Sequence, residues 1–243
     1  ILGYREFKGM SAARNTPEYE DLDYNIGYAY FKKNDYTQAV NYFKSFASSA
    51  SAEGAKKNDA LLRLGDTYYV TSQYWPAMEA YQKAIDNGVS NADYAAFQKS
   101  ISYGFVNRND TKLEELNGFI NRYPRSPYRD DAMYELGNTY VAANNTDQAI
   151  QSYNRLIRDV PESALVPKAM LRQGLIYYNN NDGNKALERL RKVVAEFPNT
   201  PEAKQAVSTA RNVYVDLGRT DEYADWVRNI DFVEVSDSDL DNA

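Results

Sequence analysis

Neither cysteine nor histidine occurs anywhere in the 243 residues. Without cysteine there is no disulfide frame, thiol nucleophile, thiolate zinc site or iron–sulfur cluster. Without histidine there is no imidazole base, no Ser-His-Asp triad and no ordinary catalytic zinc. Basic residues are in the minority: 28 Lys+Arg stand against 34 Asp+Glu, a net charge of -6 and an isoelectric point near 4.9. Nucleic acid is bound by clustered Lys and Arg, so the expected partner is not a phosphate backbone. No run approaches 18 apolar residues, so no direct membrane insertion is expected. The chain opens at Ile1 with no charged stretch leading into an apolar one, so any targeting signal is read as removed or not included. With 43% hydrophobic and 26% charged residues the chain reads as folded, and its length suits one or two domains. The excess lies elsewhere: 22 Tyr, 9 Phe and 2 Trp make 14% of the chain aromatic.

Glycine followed three residues later by tyrosine occurs at Gly27/Tyr30, Gly65/Tyr68, Gly137/Tyr140 and Gly174/Tyr177. The glycines are 38, 72 and 37 residues apart, which a unit of about 37 residues explains if one degenerate copy fills the long gap. That copy places Ser100 and Tyr103 at the two positions, and one more step reaches Arg211 and Tyr214. Twelve residues after each glycine comes alanine (Ala39, Ala77, Ala149, Ala186), and four further on a bulky residue (Phe43, Tyr81, Tyr153, Leu190). The degenerate copies carry Lys112/Leu116 and Tyr223/Val227 there. Seven of the eight prolines fall between units, and Pro76 is expected in a first helical turn, where its missing N–H costs little.

Each unit reads as two helices, the first with apolar spacing i, i+3, i+4, i+7, as in Tyr134, Leu136, Gly137, Tyr140 and Val141. Short Asn/Asp/Gly turns such as Lys33-Asn34-Asp35, Asn144-Asn145-Thr146-Asp147 and Asn180-Asn181-Asp182-Gly183 are expected to end one helix and cap the next. Thr16-Pro17, Ser126-Pro127 and Thr200-Pro201 read as a hydroxyl cap followed by proline in the first turn of the next unit.

Ile26-Gly27-x-x-Tyr30…Ala39…Phe43, Leu64-Gly65-x-x-Tyr68…Ala77…Tyr81…Ala84 and Leu136-Gly137-x-x-Tyr140…Ala149…Tyr153…Pro161 resemble the tetratricopeptide repeat (TPR) signature over nearly the whole chain. The resemblance implies an all-α fold: a right-handed TPR superhelix, or α-solenoid, of about six helix-turn-helix units stacked as a single domain over 1–243. The expected units are 17–53, 54–90, 91–126, 127–163, 164–200 and 201–235. Residues 1–16 read as the second helix of a partial unit, and 236–243 as the start of a seventh, as in a segment of a longer repeat protein. The joints Tyr123-Pro124-Arg125-Ser126-Pro127 and Phe197-Pro198-Asn199-Thr200-Pro201 look like those of bacterial envelope TPR proteins, which favours a periplasmic or outer-membrane-associated location over the cytoplasm.

In TPR superhelices the first helix of each unit lines the concave side. Carried onto this chain, that register implies a partner-binding groove bearing Tyr24, Tyr28, Phe31, Tyr69, Tyr134, Asn138 and Tyr178. Tyrosine suits a channel for a peptide or partner protein because it combines large area, a polar tip and few rotamers. The same positions also serve packing of one first helix against the next, and a mixture is expected, with leucines packed and some tyrosines exposed. No lysine cluster of the kind a carboxylate clamp needs is present. The alternatives are a glycan-binding module of a surface lipoprotein, which the short connections disfavour, and a purely architectural spacer. Asp237, Asp239 and Asp241 alternate like the start of a calcium loop but lack its glycine and glutamate, so no metal or other cofactor is expected. Neighbouring carboxylates such as Glu114/Glu115 and Asp130/Asp131 project to different sides of a helix, and no phosphate loop or nucleophile elbow appears, so no enzyme is expected.

Overall fold

The structure is a computed structural model that describes residues 1–49 and 54–232, apart from the side chains of residues 13, 15, 17 and 20. The proposed start of a seventh unit and the alternating aspartates lie outside the described residues. Every regular element among the described residues is helical. The chain divides into two compact units, Ile1–Arg129 and Asp130–Ala243.

In the first unit, α1 (Leu2–Gly9), a single 3-10 turn (Ser11–Asn15) and α2 (Pro17–Glu20) precede three helical hairpins. These are α3 (Leu22–Lys32) with α4 (Tyr36–Ala47), α5 (Gly54–Val70) with α6 (Tyr74–Asp86), and α7 (Ala92–Phe105) with α8 (Asn109–Arg122). The second unit holds α9 (Arg129–Ala142) and α10 (Thr146–Asp159), α11 (Val166–Asn179) and α12 (Gly183–Glu196), and α13 (Pro201–Asp216) and α14 (Thr220–Val227). Within each unit second helices pack both on their own first helix and on the next one, as α4 does on α3 and α5, α6 on α5 and α7, and α12 on α11 and α13. The all-α solenoid expected from the repeat is therefore the fold. No residue of α1 is buried, and Leu2 is 77% exposed.

The glycine of each well-formed repeat marks the closest approach within its hairpin. A β-carbon on Gly137 would lie 2.4 Å from the Tyr153 ring, one on Gly65 2.6 Å from Tyr81, one on Gly174 2.8 Å from Leu190 and one on Gly27 2.9 Å from Phe43. Those four bulky partners are fully buried, as are the alanines four residues before them. Where the first helix instead carries Ser100 or Arg211, the residue sixteen positions on is Leu116 or Val227, both buried.

All six hairpin turns close identically. Asn34, Ser72, Asn107, Asn144, Asn181 and Gly218 have φ between 57° and 66°. The N–H of the following residue donates to the carbonyl of the repeat's tyrosine: Asp35 to Tyr30, Gln73 to Tyr68, Arg108 to Tyr103, Asn145 to Tyr140, Asp182 to Tyr177 and Arg219 to Tyr214. This is the Schellman closure, which satisfies the last carbonyls of the first helix. The residue after the left-handed one then caps the second helix, and Asp35, Asn145 and Asp182 accept an N–H with their side chains. Joints between repeats share a different bond. Ser126 donates to Asp93 at 2.7 Å and accepts the Tyr128 N–H, and 37 residues on Ser163 donates to Asp130 at 2.6 Å and accepts the Leu165 N–H.

The same substitution is expected to act with opposite sign at two glycines. Gly118 lies inside α8 with open space where a β-carbon would stand. Gly118→Ala therefore gains helix propensity, raising stability by about 0.5–1 kcal/mol. Gly137→Ala gains the same propensity but drives a methyl into the Tyr153 ring, a net loss of about 1–3 kcal/mol. Urea denaturation of the two variants measures both signs.

Candidate functional site

First helices of successive hairpins touch one another, α3 against α5 in the first unit and α11 against α13 in the second. The positions expected to line a groove lie on these helices, and the two units equip them differently.

In the first unit one of them, Tyr24, belongs to a polar ladder that crosses three repeats. The Tyr24 hydroxyl donates to Asp59 at 2.7 Å. Arg63 bridges that carboxylate at 3.3 Å and Asp66 at 2.9 Å. Asp66 also accepts the hydroxyls of Tyr81 at 3.0 Å and Tyr94 at 2.9 Å. Asp66 is only 7% exposed. Burial raises the pKa of its carboxyl above the ordinary value, against the Tyr94, Arg63 and Tyr81 donors that stabilise its charge. Burial also pushes up the hydroxyls of Tyr24, Tyr81 and Tyr94, so all three remain donors across the physiological range. Burial opposes the charge on Arg63 too, but Asp59 and Asp66 outweigh it and the guanidinium pKa is raised.

Tyr24 is half-buried, its ring tilted on Phe46 at 5.6 Å and Phe43 at 6.2 Å. Tyr28 stacks on it at 6.3 Å and is the one groove tyrosine classed as exposed, with the Lys32 ammonium 5.4 Å from its ring centre. Phe31 is half-buried against the edge of Tyr36. Tyr69, also half-buried, contacts Tyr74 at 5.7 Å and Phe105 at 5.8 Å.

In the second unit Asn138 holds the place Asp66 holds in the first, and Tyr153 the place of Tyr81. The Tyr153 hydroxyl donates to Asn138 at 2.8 Å, and the Asn138 amide donates to Glu135 at 3.2 Å. Tyr134 packs its ring on Tyr153 at 5.8 Å and accepts a hydrogen bond from the Arg172 guanidinium, which raises the arginine pKa. Tyr178 donates to Asp216. The leucines at groove positions are packed, Leu62 and Leu171 being buried and Leu175 half-buried.

Several of these partners carry no signal in the repeat signature. Asp59, Arg63 and Asp66 pair at i,i+4 and i,i+3 within α5, but Tyr24 and Tyr94 join them only because adjacent first helices are brought together. One signal was present: an acceptor directly follows the repeat glycine where a tyrosine stands sixteen positions after it (Asp66/Tyr81, Asn138/Tyr153), and not where Phe43 or Leu190 stands there. Two clefts lie away from these faces. One of about 250 Å³ is lined by Glu114, Glu115 and Arg122, and one of about 440 Å³ by Arg191, Trp226 and Phe232. Among the described residues no acidic group could hold a metal ion, and no helix is long and apolar enough to cross a membrane.

The repeat geometry defines a helical-repeat interaction module. The sequence matches tetratricopeptide repeat families over residues 24–92, 131–163 and 168–200, together more than half of the chain. The protein belongs to the tetratricopeptide repeat family, whose members are interaction scaffolds that bind proteins or peptides. Among solved structures it is similar to a tetratricopeptide repeat protein of Parabacteroides merdae, with 14% identity and a TM-score of 0.63 over 91% of this chain and 82% of that one. It is also similar to YrrB, described as a TPR protein with an unusual peptide-binding site, with 18% identity and a TM-score of 0.58 over 80% of this chain and 95% of that one. MamA of Desulfovibrio magneticus matches with 19% identity and a TM-score of 0.58 over 72% of this chain and 93% of that one. No curated protein matches the sequence.

The raised pKa of Asp66 has a sign that can be measured. Between the ordinary carboxylate value of about 4 and the raised one, the folded state keeps a proton that the unfolded state has lost. Wild-type stability relative to Asp66→Asn should therefore fall as pH rises through that window. Urea titrations of the two proteins from about pH 4 to 7 measure this difference. A wild-type advantage growing with pH would show that the donors outweigh burial.

Proposed function

We propose that the protein holds a segment of a partner protein against the inner faces of its first helices and performs no chemistry of its own. The contacts are Tyr24, Tyr28, Phe31 and Tyr69 in the first unit and Tyr134, Asn138 and Tyr178 in the second. The observation that carries this reading is the state of Tyr28. Its ring is open to solvent, yet it rests on Tyr24, whose hydroxyl is tied through Asp59 and Arg63 to buried Asp66. An aromatic face held in place before a partner arrives loses little entropy on binding. Asn138 takes part as a fixed group, since both ends of its amide are engaged within the unit. The fold shared with YrrB, a protein described by its peptide-binding site, supports the same reading. The absence of histidine and cysteine, with the most buried carboxylate already accepting three donors, supports a non-catalytic role.

Photo-crosslinking in the native cell tests this. p-Benzoylphenylalanine in place of Tyr28 is expected to give a discrete crosslinked protein band, and the same group in place of Arg158, exposed on α10, none. Adding Tyr24→Ala should weaken the Tyr28 band severalfold by loosening the support beneath the ring. A band from position 158 with none from position 28 would move the partner to the outer helices.

A further inference from the structure

The turn edge of the first unit carries a second surface that the inner faces do not use. Val70 and Phe105 hold equivalent places in successive repeats, five residues past Gly65 and Ser100, and are 51% and 54% exposed. Trp75, at the start of α6, is 53% exposed. Phe105 lies flat on Tyr74, centroids 4.5 Å apart and planes 10° apart, and edge-on to Tyr69. One ring face is thus held in place, while more than half the residue stays open to water.

The chemistry of the patch narrows what it can take. No charged residue occurs between Asp66 and Glu79, in a chain that is 26% charged. Charge depletion around Val70, Tyr74 and Trp75, with Arg108 and Asp110 three and five residues past Phe105, is the composition of an interface core with a charged rim. A second copy of the chain would bring another net charge of -6 toward the first. A sugar is held by arrays of hydroxyl and amide partners, and several of those beside the rings already bond within the chain. The Thr71 hydroxyl bonds the Thr67 and Tyr68 carbonyls, the Gln73 amide bonds Thr71, and the Tyr74 hydroxyl bonds Ser72. What remains complementary is an apolar side chain on an uncharged stretch of polypeptide.

We infer that Val70, Tyr74, Trp75 and Phe105 form a second docking surface, at the hairpin-turn edge, for an uncharged segment of a partner polypeptide anchored by an aliphatic or aromatic side chain. It adjoins the inner face at Tyr69, to which Phe105 stands edge-on, but does not depend on the role of that face.

Random 12-residue peptides displayed on phage, selected against the full chain, provide the probe. Affinities of the recovered peptides are then measured by fluorescence polarisation for the wild type, Phe105→Ser, Val70→Ser and Tyr28→Ala, with helicity followed by circular dichroism. The expected result is a class of peptides with Leu, Phe or Trp anchors and no adjacent charge. These should lose about tenfold or more in affinity for either serine variant and bind Tyr28→Ala as they bind the wild type. Recovery of no such class, wild-type affinity in both serine variants, or dependence on Tyr28 would overturn the inference. Self-association in sedimentation, or cellohexaose binding, that disappears in the serine variants would overturn it in favour of a different occupant.

Discussion

Within each well-formed hairpin the two helices come as close as a missing β-carbon permits, and much of the rest follows from that contact. Gly27, Gly65, Gly137 and Gly174 each face a large side chain sixteen residues on, near enough that a methyl would collide. The contact fixes the axial register of one helix against the other. It therefore also fixes which residue of the first helix meets the far end of that side chain. Where the large residue is tyrosine, its hydroxyl arrives beside the residue after the glycine, and a buried hydroxyl needs an acceptor. Asp66 and Asn138 supply it. Steric fit and polar satisfaction are two aspects of one packing decision.

The two units then use the same place for different ends. In the first, the acceptor is a carboxylate, and one arginine and two tyrosine hydroxyls from three helices converge on it. Such a network is stabilising only when its members are satisfied together, so it ties Tyr24 of one repeat and Tyr94 of another to the repeat between them. In the second, the acceptor is a neutral amide, and the arginine has moved to the next repeat, where it bonds the Tyr134 hydroxyl. A buried carboxylate beside a guanidinium costs more desolvation than an amide does. In the first unit that carboxylate is linked through Arg63 and Asp59 to Tyr24, on whose ring the more exposed Tyr28 stacks.

Much of the fold was legible because it rests on local rules that recur in phase. The glycine-to-bulky spacing, the alanine four residues before the bulky position and the Asn/Asp turns each reflect one short-range requirement, and repetition makes each visible. Even the degenerate copies keep a buried apolar residue at the bulky position, Leu116 and Val227, where Ser100 and Arg211 replace glycine. Ser72 escaped notice as a turn residue because serine seldom adopts φ near +60°, yet it fills the left-handed place that Asn34 and Asn144 fill in their own repeats.

The sequence by itself determined the helical hairpin, its period and its close-packed seam, because those depend on residues within a few turns of one another. Its list of inner-face tyrosines mixed residues of unlike fate. Tyr28 is open, Tyr24 is half-buried and tied to Asp59, and Tyr178 donates to Asp216 38 residues away. Those differences, like the arrival of Tyr24 on Asp59, of Tyr94 on Asp66 and of Phe105 on Tyr74, were decided only by the tertiary structure. They depend on which side chains adjacent repeats bring within hydrogen-bond or ring contact, a distance that no periodicity along a single helix encodes.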